Sequence, residues 1–129
     1  MANKILIVDD SPTMRTSVRF FLAQAGYEVA EAKDGIDGLE RLGEMQQTGD
    51  LPALIIADIN MPRMNGIEFI REVKKTPLRF VPILVLTTEG EESRKQEGRA
   101  AGAAGWLVKP FQPEQLVWVV KKFVRNSHG

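Results

Sequence analysis

The sequence of 129 residues contains no cysteine and a single histidine, His128, next to its last residue. The absence of cysteine excludes disulfides, thiolate metal sites and cysteine nucleophiles. One histidine at the end of the sequence also argues against a histidine metal cluster and a Ser-His-Asp triad. The chemistry of this chain must therefore come from carboxylates, hydroxyls and amines.

Long hydrophobic runs and blocks of one charge are missing as well. No apolar run approaches the ~20 residues that span a membrane, and the N-terminal stretch MANKILIVDD lacks the pattern of a secretory signal. The 17 basic and 17 acidic residues balance, and no cluster of lysine and arginine suits a phosphate backbone. We therefore expect a cytoplasmic protein whose partner is neither nucleic acid nor a membrane.

Five short apolar runs predict the strands of a parallel sheet. Three of them are almost continuously apolar, as in strands that are covered on both faces. The second run alternates polar and apolar residues, which favours an edge strand. The runs are Lys4–Val8, Glu28–Ala32, Ala53–Ala57, Pro82–Leu86 and Trp106–Val108.

Helical segments alternate with these strands. Ser11, Asp34 and Asn65 are suited to begin the first three helices as N-caps. This strict alternation predicts one α/β domain over residues 1–129, with an open, doubly wound, flavodoxin-like sheet of five parallel strands flanked by five helices.

The last two predicted helices differ in their apolar content. The fourth, from about Glu91 to Ala101, has almost no apolar stripe and contains Gly98, so it should be the least firmly anchored helix. The fifth runs from about Pro113 to Val124. It should bury Leu116, Val120 and Phe123.

Charged and hydroxyl side chains follow four of the five predicted strands. Asp9 and Asp10 follow the first strand and Asp58 the third, while Thr87 and Lys109 follow the fourth and fifth. Taken singly, such residues are usually turn formers, surface charges or backbone hydrogen-bond partners. The carboxyl ends of parallel strands, however, meet at the edge where open α/β sheets bind ligands. We therefore expect these side chains to lie together.

Three carboxylates at one edge need a counter-charge. Two of them ~5 Å apart repel by roughly 3 kcal/mol at an effective dielectric constant near 20. Mg²⁺ relieves such repulsion and is typically held by one or two carboxylates and a phosphate. Lys109 and Thr87 supply a cation and a hydroxyl for a phosphoryl oxygen. Because the sequence contains no glycine-rich phosphate loop, a phosphoryl group on a carboxylate fits better than a nucleotide.

Four segments are together similar to response-regulator receiver domains, and most similar to the chemotaxis (CheY-like) regulators of that family. They are LIVDDSPTMR, IADINMPRMNG, VLTTEGE and AGAAGWLVKPF, which occur in the family's order and at its spacing. The resemblance covers the whole chain. It implies the strand order 2-1-3-4-5 and a signalling switch rather than an enzyme.

The resemblance also assigns roles at the strand ends. Asp58 would be the phosphoacceptor. Asp10 and Asp58 would bind Mg²⁺ directly, Asp9 would act largely through water, and Asn60 would lend its backbone carbonyl. Lys109 would contact the phosphoryl group and precede a cis proline bond.

A second set of residues is implied in the switch. Thr87 would move toward the phosphoryl group. Trp106, at a position where the family usually has tyrosine or phenylalanine, would be the rotating aromatic, although its larger ring needs more room. Trp118 and Lys122 on the last helix form a candidate partner surface, with the alternative that Trp118 packs along the helix edge.

The implied partners are a histidine kinase and a protein target that binds the phosphorylated form, for example the flagellar motor switch, with the chain acting as a monomer. Since the sequence ends after the fifth predicted helix, we expect no DNA-binding output domain. A phosphorelay shuttle or scaffold-bound receiver is the alternative within the family. Outside it, a small aspartate-nucleophile phosphatase lacks support because its D-x-D pattern is absent, and a flavin- or nucleotide-binding domain lacks a phosphate loop.

Overall fold

The computed structural model describes residues 3–88 and 94–124, in which five strands and five helices alternate. The strands are β1 (Lys4–Val8), β2 (Glu28–Ala32), β3 (Leu54–Asp58), β4 (Ile83–Thr88) and β5 (Gly105–Lys109). The helices are α1 (Pro12–Gln24), α2 (Gly35–Thr48), α3 (Gly66–Lys74), α4 (Arg94–Ala101) and α5 (Pro113–Val124). All neighbouring strands pair in parallel in the order β2-β1-β3-β4-β5, which confirms the predicted fold.

Polar residues extend the strands at their carboxyl ends. Asp58 is the last residue of β3 rather than the first residue after it. Thr87 and Thr88 belong to β4, because they continue its pairing with β5. An apolar run alone therefore underestimates these strands, since a ladder of backbone hydrogen bonds does not require apolar side chains.

Alternate residues of the central strands feed two separate core layers. In β1, Leu6 and Val8 belong to the layer that α2, α3 and α4 cover, whereas Ile5 and Ile7 belong to the layer under α1 and α5. All four are fully buried. β2 is only partly buried, which agrees with the expected edge strand.

The predicted N-caps are confirmed at three helices. The side chains of Ser11, Asp34 and Asn65 each accept a backbone N–H from the first turn of α1, α2 and α3. At α3 the capping box is complete, because Glu68 accepts the Asn65 N–H at 3.0 Å. These caps fix where the loops of the sheet's carboxyl edge enter the helices.

The anchoring of the last two helices follows the predicted contrast. Within its described residues α4 buries only Gly98, and the predicted start of this helix at Glu91 lies outside the described residues. α5 buries Leu116 and Val120 as expected, while Phe123 is only partly buried. Among the described residues, none of the helices is long and apolar enough to cross a membrane.

Candidate functional site

Asp9 is held rigidly in the loop after β1. Its N–H donates to the Ala32 carbonyl at 3.1 Å, its Oδ1 accepts the Ser11 N–H at 2.9 Å, and its own carbonyl accepts Arg15 Nη1 at 2.6 Å. Its Oδ2 is buried and has no hydrogen-bond partner in the described part of the chain, although Lys109 Nζ lies 3.6 Å away. A buried carboxylate oxygen in this state suits a cation ligand.

Three acidic residues meet at this edge of the sheet. One carboxylate oxygen from each of Asp9, Asp10 and Asp58 lies within 4.8 Å of the others, with Asp10 exposed and the other two buried. Oxygen donors of this charge and spacing fit a hard divalent cation such as Mg²⁺, with the exposed side left for water or phosphate. The predicted acidic cluster is thus present in the structure, and its role in metal binding stays a prediction.

Asp58 and Lys109 face each other across this cluster. Lys109 Nζ donates to Asp58 Oδ1 at 3.2 Å. Burial of Asp58 and the nearby negative charge of Asp9 raise the pKa of Asp58, whereas Lys109 lowers it. The first two effects are larger, and the pKa is about 6. The carboxylate is therefore costly to ionise without a further cation, which is what a metal site would supply.

Thr87 reaches the same edge from the next strand. Asp58 pairs with Leu86 across β3 and β4, so Thr87 lies one position beyond it. Thr87 is buried, and its hydroxyl donates to the Thr88 carbonyl at 3.3 Å. The Lys109–Pro110 bond is cis, as expected.

The loop after Asp58 depends on a glycine whose role the sequence interpretation did not assign. The N–H of Gly66 donates to the Ile59 carbonyl at 2.8 Å. A Cβ atom at Gly66 would lie only 2.5 Å from the Asp58 carbonyl oxygen. Only glycine allows α3 to begin this close to the backbone of Asp58, and the Asn-Gly pair was the available signal.

A second missed residue, Arg63, ties this loop to the start of α2. Its Nε and Nη2 donate to Asp34 Oδ2 at 2.9 and 2.7 Å, and its own φ is +65°. Burial acts to raise the pKa of Asp34, but the N–H of Asp37 and the Arg63 guanidinium outweigh it and hold that pKa below its ordinary value. The two residues are far apart in sequence, so no local pattern predicts their contact.

The residues predicted for the switch surface do not form one patch. Trp106 packs in the layer under α2, α3 and α4, against Gly98. Trp118 is 63% exposed, lies beside a groove between α1 and α5, and has Lys122 Nζ 4.4 Å from its ring centroid. Trp118 is thus largely exposed and also lines this groove, so its role as a partner anchor stays a prediction.

Comparisons with known proteins agree with this geometry. A family model described as the response regulator receiver domain matches residues 5–121. The structure of the chemotaxis response regulator CheY4 of Vibrio cholerae is 44% identical, with a TM-score of 0.86 over 95% of this chain and 99% of that chain. A putative response regulator from Chloroflexus aurantiacus is 35% identical, with a TM-score of 0.88 over 97% and 99%.

Curated relatives include longer proteins. The alkaline phosphatase synthesis transcriptional regulatory protein PhoP of Bacillus subtilis is 36% identical over 127 residues, which cover 98% of this chain and 50% of that protein. The transcriptional regulatory protein SrrA of Staphylococcus aureus is 36% identical over 132 residues, covering 100% and 51%. This chain thus spans about half the length of these relatives.

Proposed function

As this chain belongs to the response regulator receiver family, we propose that it is a phosphorylation switch in which Asp58 accepts a phosphoryl group from a histidine kinase. The observation that carries this proposal is the 3.2 Å contact between Lys109 Nζ and Asp58 Oδ1, with oxygens of Asp9 and Asp10 beside it. Receiver domains are signalling switches, so slow loss of the phosphoryl group is expected rather than enzymatic turnover.

The reaction requires the ionised form of Asp58. Its carboxylate oxygen attacks the phosphorus of a phosphohistidine, a new P–O bond forms, and the P–N bond breaks as the imidazole leaves. With a pKa of about 6, Asp58 is mostly ionised at neutral pH. The Lys109 ammonium offsets the negative charge that two reacting anions bring together.

Four residues would hold the metal. Asp10, Asp58 and the backbone carbonyl of Asn60 would bind Mg²⁺ directly, and Asp9 would act largely through water. The bound ion would neutralise charge on the phosphoryl oxygens. The buried Oδ2 of Asp9, which has no hydrogen-bond partner among the described residues, supports this assignment. Asp10 is exposed, so the site is open on the side from which a phosphodonor would approach.

The output begins at Thr87. Its hydroxyl, which donates to a neighbouring carbonyl in this structure, would turn to the phosphoryl oxygens, and α4, which buries one residue in its described range, would shift with it. Trp118 and Lys122 form an exposed aromatic and basic patch suited to a partner protein.

The identity to CheY4 over nearly the full length of both chains favours a role in chemotaxis. We propose that the chain acts as a cytoplasmic monomer whose phosphorylated form binds a protein target such as the flagellar motor switch. Its relatives named transcriptional regulators favour a second candidate, in which the receiver controls a different output or relays the phosphoryl group. Profiling the proteins retained only by the phosphorylated form separates these outputs.

The test of phosphorylation uses acetyl phosphate and Mg²⁺ with mass spectrometry. The wild-type chain should gain one phosphoryl group at Asp58, and chelation of the metal should abolish the gain. Asp58→Asn should not be labelled, whereas Asp50→Asn, which alters an exposed aspartate just before β3, should be labelled like the wild type. Full labelling of Asp58→Asn in the same peptide would remove the assignment, and multiple turnover of a phosphate ester would favour a phosphatase.

The test of the partner patch compares two exposed aromatic residues. Trp118→Ala should weaken retention of the target by the phosphorylated chain, because it removes the exposed ring and the cation–π partner of Lys122. Phe80→Ala is the control, since Phe80 is 71% exposed just before β4, at the opposite end of the strands from Asp58. Unchanged retention by Trp118→Ala would remove Trp118 from the binding surface.

A further inference from the structure

We propose that Gly98 is the positioning residue for Trp106, and that this glycine in α4 holds the indole in an inward position whether or not Asp58 is phosphorylated. The inward position is the one in which the ring lies beneath α4 and its Nε1 is buried. The part concerning phosphorylation rests on the proposed function, while the pairing of Gly98 with Trp106 stands on packing alone.

The ring edge of Trp106 occupies the volume that a side chain at position 98 would fill. A Cβ atom built on Gly98 would lie 2.3 Å from Cζ2 and 2.7 Å from Cη2 of the indole. Real Cβ atoms essentially never approach another heavy atom within 3.0 Å. The indole is a rigid ring that cannot yield as the end of a flexible chain would, so even alanine must displace the ring or the helix.

Within the described part of the chain, the indole is held by packing and not by a hydrogen bond. Nε1 of Trp106 is buried and has no hydrogen-bond partner among the described residues. A buried, unpaired donor disfavours the position that buries it. The ring nevertheless packs against the core layer under α2, α3 and α4, and Gly98 provides the space that makes this packing possible.

Glycine in the interior of a helix is otherwise unfavourable, because it lowers helix propensity relative to alanine. Gly43 in α2 has no heavy atom within 4 Å of its hypothetical Cβ. Gly43 is therefore a control for Gly98, because it also lies inside a helix but has no aromatic ring next to it. An alanine should stabilise the helix at position 43 and destabilise the protein at position 98.

If the ring rotated outward, it would leave empty the space under α4 that Gly98 provides and that the ring edge fills, and an empty space in a packed core is costly. We therefore expect the ring to stay inward after phosphorylation. The signal would then pass from Thr87 to a movement of α4 together with the indole, rather than through rotation of the aromatic residue. This assigns the movement to the helix that buries a single residue in its described range.

Thermal unfolding tests the pairing of Gly98 with Trp106, because alanine should change Tm in opposite directions at positions 43 and 98. Gly43→Ala should raise Tm by about 2–4 °C, and Gly98→Ala should lower Tm by about 5 °C or more. In a Trp106→Leu background, Gly98→Ala should raise Tm, because the ring is gone. A rise in the wild-type background, or an equal fall in both backgrounds, would overturn the pairing. If Gly98→Ala alone does not fold, the double variant must still melt above Trp106→Leu.

Fluorescence tests the second part in a Trp118→Phe background, where Trp106 is the sole tryptophan. Acrylamide quenching of Trp106 should be unchanged by acetyl phosphate and Mg²⁺, and Gly98→Ala should increase it. Increased quenching in phosphorylated Trp118→Phe would show that the ring rotates, which overturns this part. Mass spectrometry of the same samples verifies the phosphorylation. If no phosphoryl group is gained, the proposed function fails, whereas the thermal comparison still decides the pairing.

Discussion

Helices α3 and α4 lie side by side on the same face of the sheet, yet they are held very differently. α3 begins with a capping box and has a continuous apolar face, whereas α4 buries one glycine in its described range. An ion pair with an Arg71 Nη2 to Glu97 Oε2 distance of 3.9 Å links the two. The buried residues of α3 are Gly66, Ile67, Phe69, Ile70 and Val73.

The difference in packing between α3 and α4 corresponds to the segment that precedes each helix in the sequence. α3 follows the loop after Asp58, where Gly66 brings its first turn against the backbone of the carboxylate that would react. α4 follows β4, which ends in Thr87 and Thr88. A firmly packed helix can fix the acceptor, while a weakly packed helix can change position at little cost in buried surface. If the proposed function is correct, α3 would position the reacting carboxylate and α4 would transmit the signal.

The largest expected effect is a loss of stability when the buried face of α3 is truncated. Phe69 is fully buried, and its ring lies so close to Gly38 of α2 that a Cβ atom there would be 2.9 Å from it. Phe69→Ala should therefore lower the free energy of unfolding by about 3–5 kcal/mol. Gln96→Ala, an exposed change in α4, should stay within about 0.5 kcal/mol of wild type. Urea unfolding measures both. Equal losses would show that the two helices contribute alike and would break the comparison.

A firmly packed α3 should also make the stability of the metal-free protein depend on pH. If α3 holds the loop after Asp58 in place, the acidic residues cannot move apart. The unfavourable ionisation of Asp58 should then lower the free energy of unfolding of the metal-free protein. The pKa of Asp58 is raised from 3.8 to about 6 in the folded chain. Its contribution is therefore fully present below about pH 4 and lost as pH rises through 6, a loss on the order of 3 kcal/mol.

Asp58→Asn should remove this pH dependence. In urea unfolding with a chelator, the variant should gain stability over wild type between about pH 4 and pH 7. Added Mg²⁺ should restore the wild type and leave the variant nearly unchanged, because the variant lacks one carboxylate ligand. Parallel pH curves for the two proteins would show that Asp58 ionises without strain, and hence that the loop can relax.

Much of the contrast between α3 and α4 could be predicted from the sequence. The apolar residues of α3 recur at helical spacing after Asn65, whereas the segment containing Gly98 lacks such a stripe, and both features are local. The rule that ligands bind at the carboxyl ends of parallel strands also predicts that Asp9 and Asp58 lie near Lys109. These predictions succeed because they need only periodicity and topology.

Contacts between distant residues could not be predicted in this way. The pairing of Arg63 with Asp34 and the packing of Trp106 against Gly98 each join different elements through side-chain shape. A sequence shows that a tryptophan needs room, but not which residue provides it. The ends of β4 were missed for a related reason, because Thr87 and Thr88 continue the strand through backbone pairing with β5.

The smallest expected effect concerns the cap of α3. Asn65→Ala removes the side chain that accepts the Glu68 N–H at 2.9 Å and should cost about 1 kcal/mol. Hydrogen exchange should then speed up in the first turn of α3 while the amides of α4 keep their rates. Asn65→Asp is the control, because its carboxylate retains the acceptor and suits a helix N-terminus. Faster exchange in α4 as well would mean that the two helices open together, since a loss confined to α3 is what independent anchoring requires.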